Sequence, residues 1–380
     1  MVRILNKMDK TLLFFTIVMF VFGLFMILDA SSMKSFLISG KDTKYFMKQL
    51  VVLIACVIIF MLIIKIPLKR YKKLIYGICG VIASIMFLLP LFAPIINGAR
   101  SWFYIGSFGV QPSEFAKVAL IVFTAIYYQN NIKRLDELKI AIVPVTVGAI
   151  FTVLTFLQPD GGTSLILFFI SVALFYSSPV SKDIKTKLTL IGFAVVIVIL
   201  FVALVSGFSI ANNMQKGRFN YKKPCTRYQE ATGYQVCNGY IAINNGKLVS
   251  IQPGNSTQKY LYLPEAYTDF IFPIVVEDMG LVTGILVILI YAFIIIRILV
   301  ISQRSCNLQN SIICYGVACF IFLHVVVNLT GVLGLLPLTG VPLPFLSYGG
   351  SFALTLAIGL AFVQRVSIEN YNYNQRKVFK

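Results

Sequence analysis

Ten apolar runs nearly free of charge mark out the chain, at 11–28, 49–64, 74–96, 113–128, 140–157, 161–180, 188–211, 279–296, 311–333 and 348–363. Most approach the roughly 20 residues that a helix needs to cross about 30 Å of hydrocarbon. None alternates apolar with polar positions. Backbone hydrogen bonds in lipid must close within a segment, so the pattern predicts helices and excludes a β-barrel. The expected fold is an all-α polytopic membrane protein of about ten transmembrane helices, one domain over 1–380, with both termini on one side. Ala30, Ser31 and Ser32 follow the first run as they follow a signal peptide. Its 18-residue apolar core and the nine later runs instead make it a retained first helix.

Composition agrees: 58% of residues are hydrophobic and 12% charged, outside the usual soluble range. The net charge of +19 is topological and does not point to nucleic acid. With the N-terminus inside, 20 of the 33 basic residues fall in inner segments, and seven of the 13 outside lie in one long loop, 207–278. Short loops obey the positive-inside rule and long ones largely escape it, so both termini are expected on the cytoplasmic side. Cys56, Cys79, Cys314 and Cys319 lie in spans and Cys306 near an inner end, as small buried residues. Cys225 and Cys237 both fall in the long outer loop, where twelve residues of separation allow a disulfide or two free thiols.

Unusual residues gather in four outer segments: 97–117, 157–164, the long loop, and 334–351. In the first, Gln111-Pro112-Ser113-Glu114 reads as a helix start. Glu114 and Lys117 then share a face, either as an ion pair or, since charge at membrane depth is costly, as part of a site. Trp102, the only tryptophan, is an interfacial anchor or a ring packed on a sugar or isoprenoid. Asp160 suits a helix N-cap, and the same exposed amides suit an anion. Pro337, Pro342 and Pro344 with Gly340, Gly349 and Gly350 predict a re-entrant, non-helical stretch lining a cavity. His324, the only histidine, reads as a packing residue before a proton relay. Metal-ligand clusters, a P-loop and a G-x-S-x-G elbow are absent from the sequence, against ATP-driven transport and serine hydrolysis.

The stretch YLPEAYTDFIFP places Glu265 and Asp269 ahead of an apolar run in a chain with only 14 acidic residues. If helical, the two carboxylates share a face, with Glu277 and Asp278 about two turns on. Carboxylates near apolar surface and each other have raised pKa values, so one is a credible general base; an aqueous rim capping the span is the other reading.

Taken in order, NGARSWFYIGSFGVQPSEFAK, LQPDGGTS, GNSTQKYLYLPEAYTDFIF and GLLPLTGVPLPFLSYGGS resemble the SEDS proteins of bacterial wall synthesis, the RodA, FtsW and SpoVE group, over nearly the whole chain. The NSTQKYLYLPEA run and the final motif look more like the FtsW and SpoVE branch. The resemblance implies a peptidoglycan glycosyltransferase that polymerises lipid II at the outer face of the membrane, for cell division. It implies Asp269 as the catalytic residue and a functional Trp102. Arg100, Lys117 and Lys259 are candidates for the pyrophosphate, aided by a possible divalent cation, Mg²⁺ or Mn²⁺; Glu114, Asp160, Glu265 and Ser347 complete the candidate substrate site. Implied partners are lipid II, a class B penicillin-binding protein transpeptidase and other division-complex membrane proteins. Gly161, Tyr267, Pro273 and Asp278 depart from the family's usual pattern. A lipid II flippase and a non-catalytic scaffold are the competing functions.

Overall fold

The computed structural model describes residues 2–96, 98–106, 108–206, 221–250 and 256–378. Parts of the long outer loop, 207–220 and 251–255, lie outside the described residues, as do Asn97 and Ser107 of the first outer segment. Helices run α1 (Val2–Leu5), α2 (Lys10–Ser39), α3 (Lys44–Lys65), α4 (Tyr71–Phe92), α5 (Pro112–Asn130), α6 (Leu138–Phe156), α7 (Gly161–Ser177), α8 (Lys182–Ser206), α9 (Ala231–Asn245), α10 (Ile271–Met279), α11 (Leu281–Gln303), α12 (Leu308–Val332) and α13 (Gly350–Val378). A hairpin, β1 (Phe103–Ile105) with β2 (Phe108–Val110), precedes α5 and pairs Phe103 with Val110.

Each apolar run has its helix: α2 to α8 and α11 to α13. Among the described residues, seven are long and apolar enough to cross a membrane, a multi-pass architecture. Two of the other three differ for physical reasons. The first two turns of α5 carry Glu114 and Lys117, and α7 has only 17 residues. α9 and α10 lie in the long loop, α10 reaching the next run only at Met279.

Sorting by exposure shows the bundle's inside-out character. α5 is buried almost all round, from Pro112 to Tyr128, between α4, α6, α7, α12 and α13. Phe14, Val21, Phe25, Val57, Leu91 and Leu289 point outward from the peripheral helices, an apolar belt suited to lipid tails. Pro90, near the end of α4, has no N–H for the carbonyl of Met86 one turn back. Gln158 Nε2 donates to that oxygen at 2.7 Å instead, which ties the 157–164 turn to α4.

α2 does not end with its apolar run. At 30 residues it extends about 45 Å, at roughly 1.5 Å per residue, against a hydrocarbon core of about 30 Å. Its far half carries Asp29 to Lys259 and Lys34 to Glu265 of the long loop. On α2, Gly23 permits a close backbone approach: a Cβ there would meet the Phe345 carbonyl oxygen at 2.1 Å. The 341–347 part of the fourth segment is thereby docked on α2, mostly as buried irregular backbone, while Leu335, Leu336 and Gly340 are exposed.

Cys225 and Cys237 are joined in a disulfide, pinning the start of the described outer loop to α9. Closing a loop of this size is worth about 3 kcal/mol. Cys225→Ser should accordingly speed proteolysis within 221–250 and lower the loop's unfolding free energy by about that amount. Equal cleavage rates in the variant and the parent would show that the crosslink holds nothing.

Candidate active site

The alternation of helices brings the four unusual segments to one end of the bundle, where they are stitched together by hydrogen bonds. Arg100 N donates to Gln158 O (3.2 Å), joining the first segment to the second. Gln111 Nε2 donates to Asp160 Oδ2 (2.7 Å), and Gln111 N to Ser351 Oγ (3.0 Å), joining the first to the second and to α13. Tyr348 N donates to Tyr267 O (2.9 Å), joining the fourth segment to the third.

Asp269 sits two residues ahead of α10 and is only 8% exposed. The shared helix face expected of Glu265 and Asp269 does not form. Residues 258–270 run mostly as successive turns, and Leu261 (φ 71°) and Glu265 (φ 54°) both adopt the left-handed conformation that interrupts a helix. The carboxylates still meet, through Thr268, whose Oγ1 lies 2.8 Å from Glu265 Oε2 and 3.2 Å from Asp269 Oδ1. Their environments differ. Glu265 is partly exposed and faces Lys34 at 3.7 Å, whereas Asp269 is enclosed.

Two groups hold Asp269 in place from outside its own segment. Asn328 on α12 donates from Nδ2 to the carbonyls of both Asp269 (2.7 Å) and Val341 (2.8 Å), clamping the third and fourth segments to one side chain. Gly340 (φ 71°) forms the wall opposite, where an added Cβ would stand 3.7 Å from Asp269 Oδ2. Behind this lies an aromatic cluster of Tyr45, Tyr267 and Tyr348, with ring centroids 4.7 to 5.6 Å apart. Lys34 Nζ stands 4.9 Å from the Tyr267 ring.

The remaining candidates take varied positions. Trp102 leads into the hairpin, its ring against Gly109, and Ser351 Oγ fixes the hairpin to α13 through Gly109 O (3.2 Å). Arg100 is exposed, with Nη1 donating to Pro90 O at 2.9 Å. Asp160 caps α7, its Oδ1 accepting from Thr163 N at 3.1 Å. Ser347 is buried, its Oγ accepting from Leu343 N (2.8 Å) within the Pro/Gly segment. Glu114 and Lys117 form a buried ion pair at 2.9 Å. Lys117 Nζ also lies 2.8 Å from His324 Nε2, whose Nδ1 is 3.2 Å from Pro342 O. A lysine ammonium only donates, so His324 is neutral, accepts at Nε2 and donates its Nδ1–H to Pro342. Lys259 is buried between Asp29 (2.7 Å) and Asp278 (3.5 Å). Neither Lys117 nor Lys259 offers the free ammonium expected of a direct phosphate ligand.

Glu277 anchors the start of the third segment, accepting from Asn245 Nδ2 (2.8 Å), Thr257 Oγ1 (3.1 Å), Gln258 N (3.2 Å) and the Ser256 hydroxyl. Next to it, burial and then the neighbouring Asp29 carboxyl push Asp278 up from 3.8 to about 7, against the Ser256 amide and Lys259. The fold thus favours protonated Asp278. That contribution to stability is complete below 3.8 and is lost as the pH rises through about 7. Asp278→Asn should flatten the fall in thermal midpoint between those two pH values; an unchanged slope would assign it to other groups.

Sequence reasoning overlooked Lys34 and Asn328. Lys34 lies 231 positions before Glu265, and only the overrun of α2 brings it here; Asn328 reads in sequence as one polar residue in a span. Among the described residues, no group of three or more His, Cys, Asp or Glu side chains converges as a metal site.

The cell cycle protein model of FtsW, RodA and SpoVE matches residues 10–372. The chain belongs to this family. It is 31% identical over 380 residues to the probable peptidoglycan glycosyltransferase FtsW of Bacillus subtilis, covering 99% of this chain and 94% of that one. FtsW of Enterococcus hirae is 33% identical over 370 residues, covering 94% and 91%. Stage V sporulation protein E of Bacillus subtilis is 31% identical over 303 residues, covering 79% of each. Among solved structures, a chain from a peptidoglycan synthase complex that coordinates polymerisation and crosslinking superposes with a TM-score of 0.75 at 22% identity, covering 96% of this chain and 98% of that one. Thermus thermophilus RodA superposes at 0.65 and 23% identity with the same coverage. These two likenesses concern the fold of this family member.

Proposed function

We propose that this family member is a peptidoglycan glycosyltransferase, polymerising lipid II at the outer face of the cytoplasmic membrane during cell division, with both termini in the cytoplasm. The observation that carries the reading is the setting of Asp269: an enclosed carboxylate, held through its backbone by Asn328 and walled by Gly340, with a second carboxylate one hydroxyl away. An inverting transfer needs that asymmetry. A fixed base takes a proton from the acceptor sugar's 4-hydroxyl as its oxygen bonds to C1 of the donor; the C1–O bond to the pyrophosphate breaks, and undecaprenyl pyrophosphate departs with the electron pair. Asp269 is that base, and Glu265 with Thr268 orients it.

The leaving pyrophosphate requires positive charge. Half-buried Lys34 and exposed Arg100 are the candidates among the site's cations, whereas Lys117 and Lys259 shape the walls from within buried pairs. Glu265, partly exposed beside the base, is the carboxylate that would help hold Mg²⁺ when substrate phosphates complete its coordination. A divalent cation there would neutralise charge on the leaving group. The transferase reading predicts a class B penicillin-binding protein as the crosslinking partner. Purified protein supplied with lipid II in detergent should form glycan strands without any membrane. Failure to form them with every partner and cation would instead favour a flippase or a scaffold.

A further inference from the structure

At the end of the bundle that carries both termini, a cavity of about 290 Å³ opens between the N-terminal segment, the end of α11 and the end of α13. Pockets that hold small molecules begin at roughly 300 Å³. Four basic side chains line it, Lys7, Lys10, Arg297 and Arg304, against one carboxylate, Asp9. That carboxylate is already engaged: Oδ1 caps α2 by accepting from Leu12 N (2.8 Å), and Oδ2 accepts from Arg297 Nε (2.9 Å) and pairs with Nη2 (2.7 Å). Lys7 donates to a neutral oxygen, Asn372 Oδ1, at 2.7 Å. Lys10 and Arg304 are exposed and form no ion pair among the described residues. With Arg297 matched by Asp9, three of the four positive charges face the cavity without a carboxylate.

The rest of the lining is apolar at Met8, Val300 and Ile301 and neutral but polar at Asn6, Ser367, Asn370 and Asn374. Met8 and Ile301 are buried beside Val300. Lys10 is the first residue of α2, Arg297 lies within α11, and Arg304 directly follows it. The cavity therefore sits where spans give way to water. An occupant suited to that place is anionic on one side and apolar on the other. We propose that the cavity binds the phosphate of an anionic phospholipid headgroup from the adjoining leaflet. Arg304 offers forked donors to the phosphate oxygens, and Lys7 and Lys10 add compact charges. Basic pockets between helices at a membrane face recognise lipid headgroups in this way. A lipid fits better than an acidic peptide because its glycerol and first methylenes can lie against half-buried Val300 while its polar headgroup meets Asn6, Ser367, Asn370 and Asn374.

The occupant would bridge three helices whose far ends build the candidate active site. α2 carries Asp29 and Lys34, α11 follows the helix that Asp269 precedes, and α13 begins at Gly350. A ligand bound to the folded state alone stabilises it, so occupancy would brace these helices from the opposite side.

The test uses the full-length protein in neutral detergent, with native mass spectrometry counting retained lipids and thermal unfolding measured alongside. The probes are phosphatidylglycerol, phosphatidylcholine with the same acyl chains, and inorganic phosphate. The parent should prefer phosphatidylglycerol. Lys10→Ala with Arg304→Ala should weaken that binding about thirtyfold, at roughly fivefold per basic group near an anionic surface. Lys10→Arg with Arg304→Lys should retain it. So should Lys69→Ala with Lys133→Ala, a change of the same charge at the same end outside the cavity. Equal binding by the parent and the double alanine variant, or no preference over phosphatidylcholine, overturns the site. A thermal shift with inorganic phosphate that needs Lys10 and Arg304, without lipid retention, overturns the lipid as its source.

Discussion

Asp269→Asn is expected to reduce strand formation from lipid II by at least about a hundredfold, since general-base transfer contributes roughly 10²–10⁴-fold. The amount of protein in membranes and its thermal midpoint should stay near the parent values. The substitution keeps the side chain's shape, and Asn328 grips the Asp269 carbonyl, which is unchanged. Loss of activity would therefore report chemistry more than folding. Glu265→Gln is the comparison. Glu265 meets Lys34 at 3.7 Å in a partly exposed pair, an interaction worth about 0.2–1 kcal/mol, so less than a tenfold loss is expected. Full activity in Asp269→Asn, or equal losses in the two variants, would sink the unequal roles assigned to them.

That inequality was only partly legible in the sequence. The ten helices follow directly from apolar runs, because lipid leaves the backbone no partner but itself. Local signals at helix ends also hold: Pro112 starts α5 and Asp160 caps α7. Helical spacing misled at Glu265 and Asp269, where two left-handed residues break the helix and a threonine hydroxyl takes over the pairing. Propensity does not anticipate such turns, since they depend on what the loop docks against. Lys259 also changed role. It was a candidate for the pyrophosphate, but it is buried between Asp29 and Asp278 as a strut. The missing information was the overrun of α2, which places Asp29 and Lys34 beside a segment more than 220 positions away in sequence. Long-range contacts of this sort, including the reach of Asn328 to two segments, have no period or spacing to reveal them.

Lys117→Met is expected to cost about 3–5 kcal/mol of stability, the usual penalty for removing one partner of a buried ion pair. Lys117 is fully enclosed, and its ammonium serves both Glu114 Oε1 (2.9 Å) and His324 Nε2 (2.8 Å). Methionine fills the space but leaves a carboxylate in the packed centre of the bundle and an imidazole nitrogen without its donor. The consequence should travel. His324 hydrogen-bonds Pro342 in the same irregular segment that places Gly340 against Asp269, so residual folded protein should also polymerise more slowly. Adding Glu114→Leu separates the two effects. Replacing a whole buried pair by apolar groups is often neutral, so the double variant should regain most of the parent's membrane level and thermal midpoint. If the pair serves only stability, activity returns with folding. If Lys117 also orients His324 and the segment beyond it, the double variant folds but remains slow, and Lys117→Arg recovers little because a guanidinium does not fit the space of an ammonium. A Lys117→Met protein as stable as its parent would remove the buried pair from both roles.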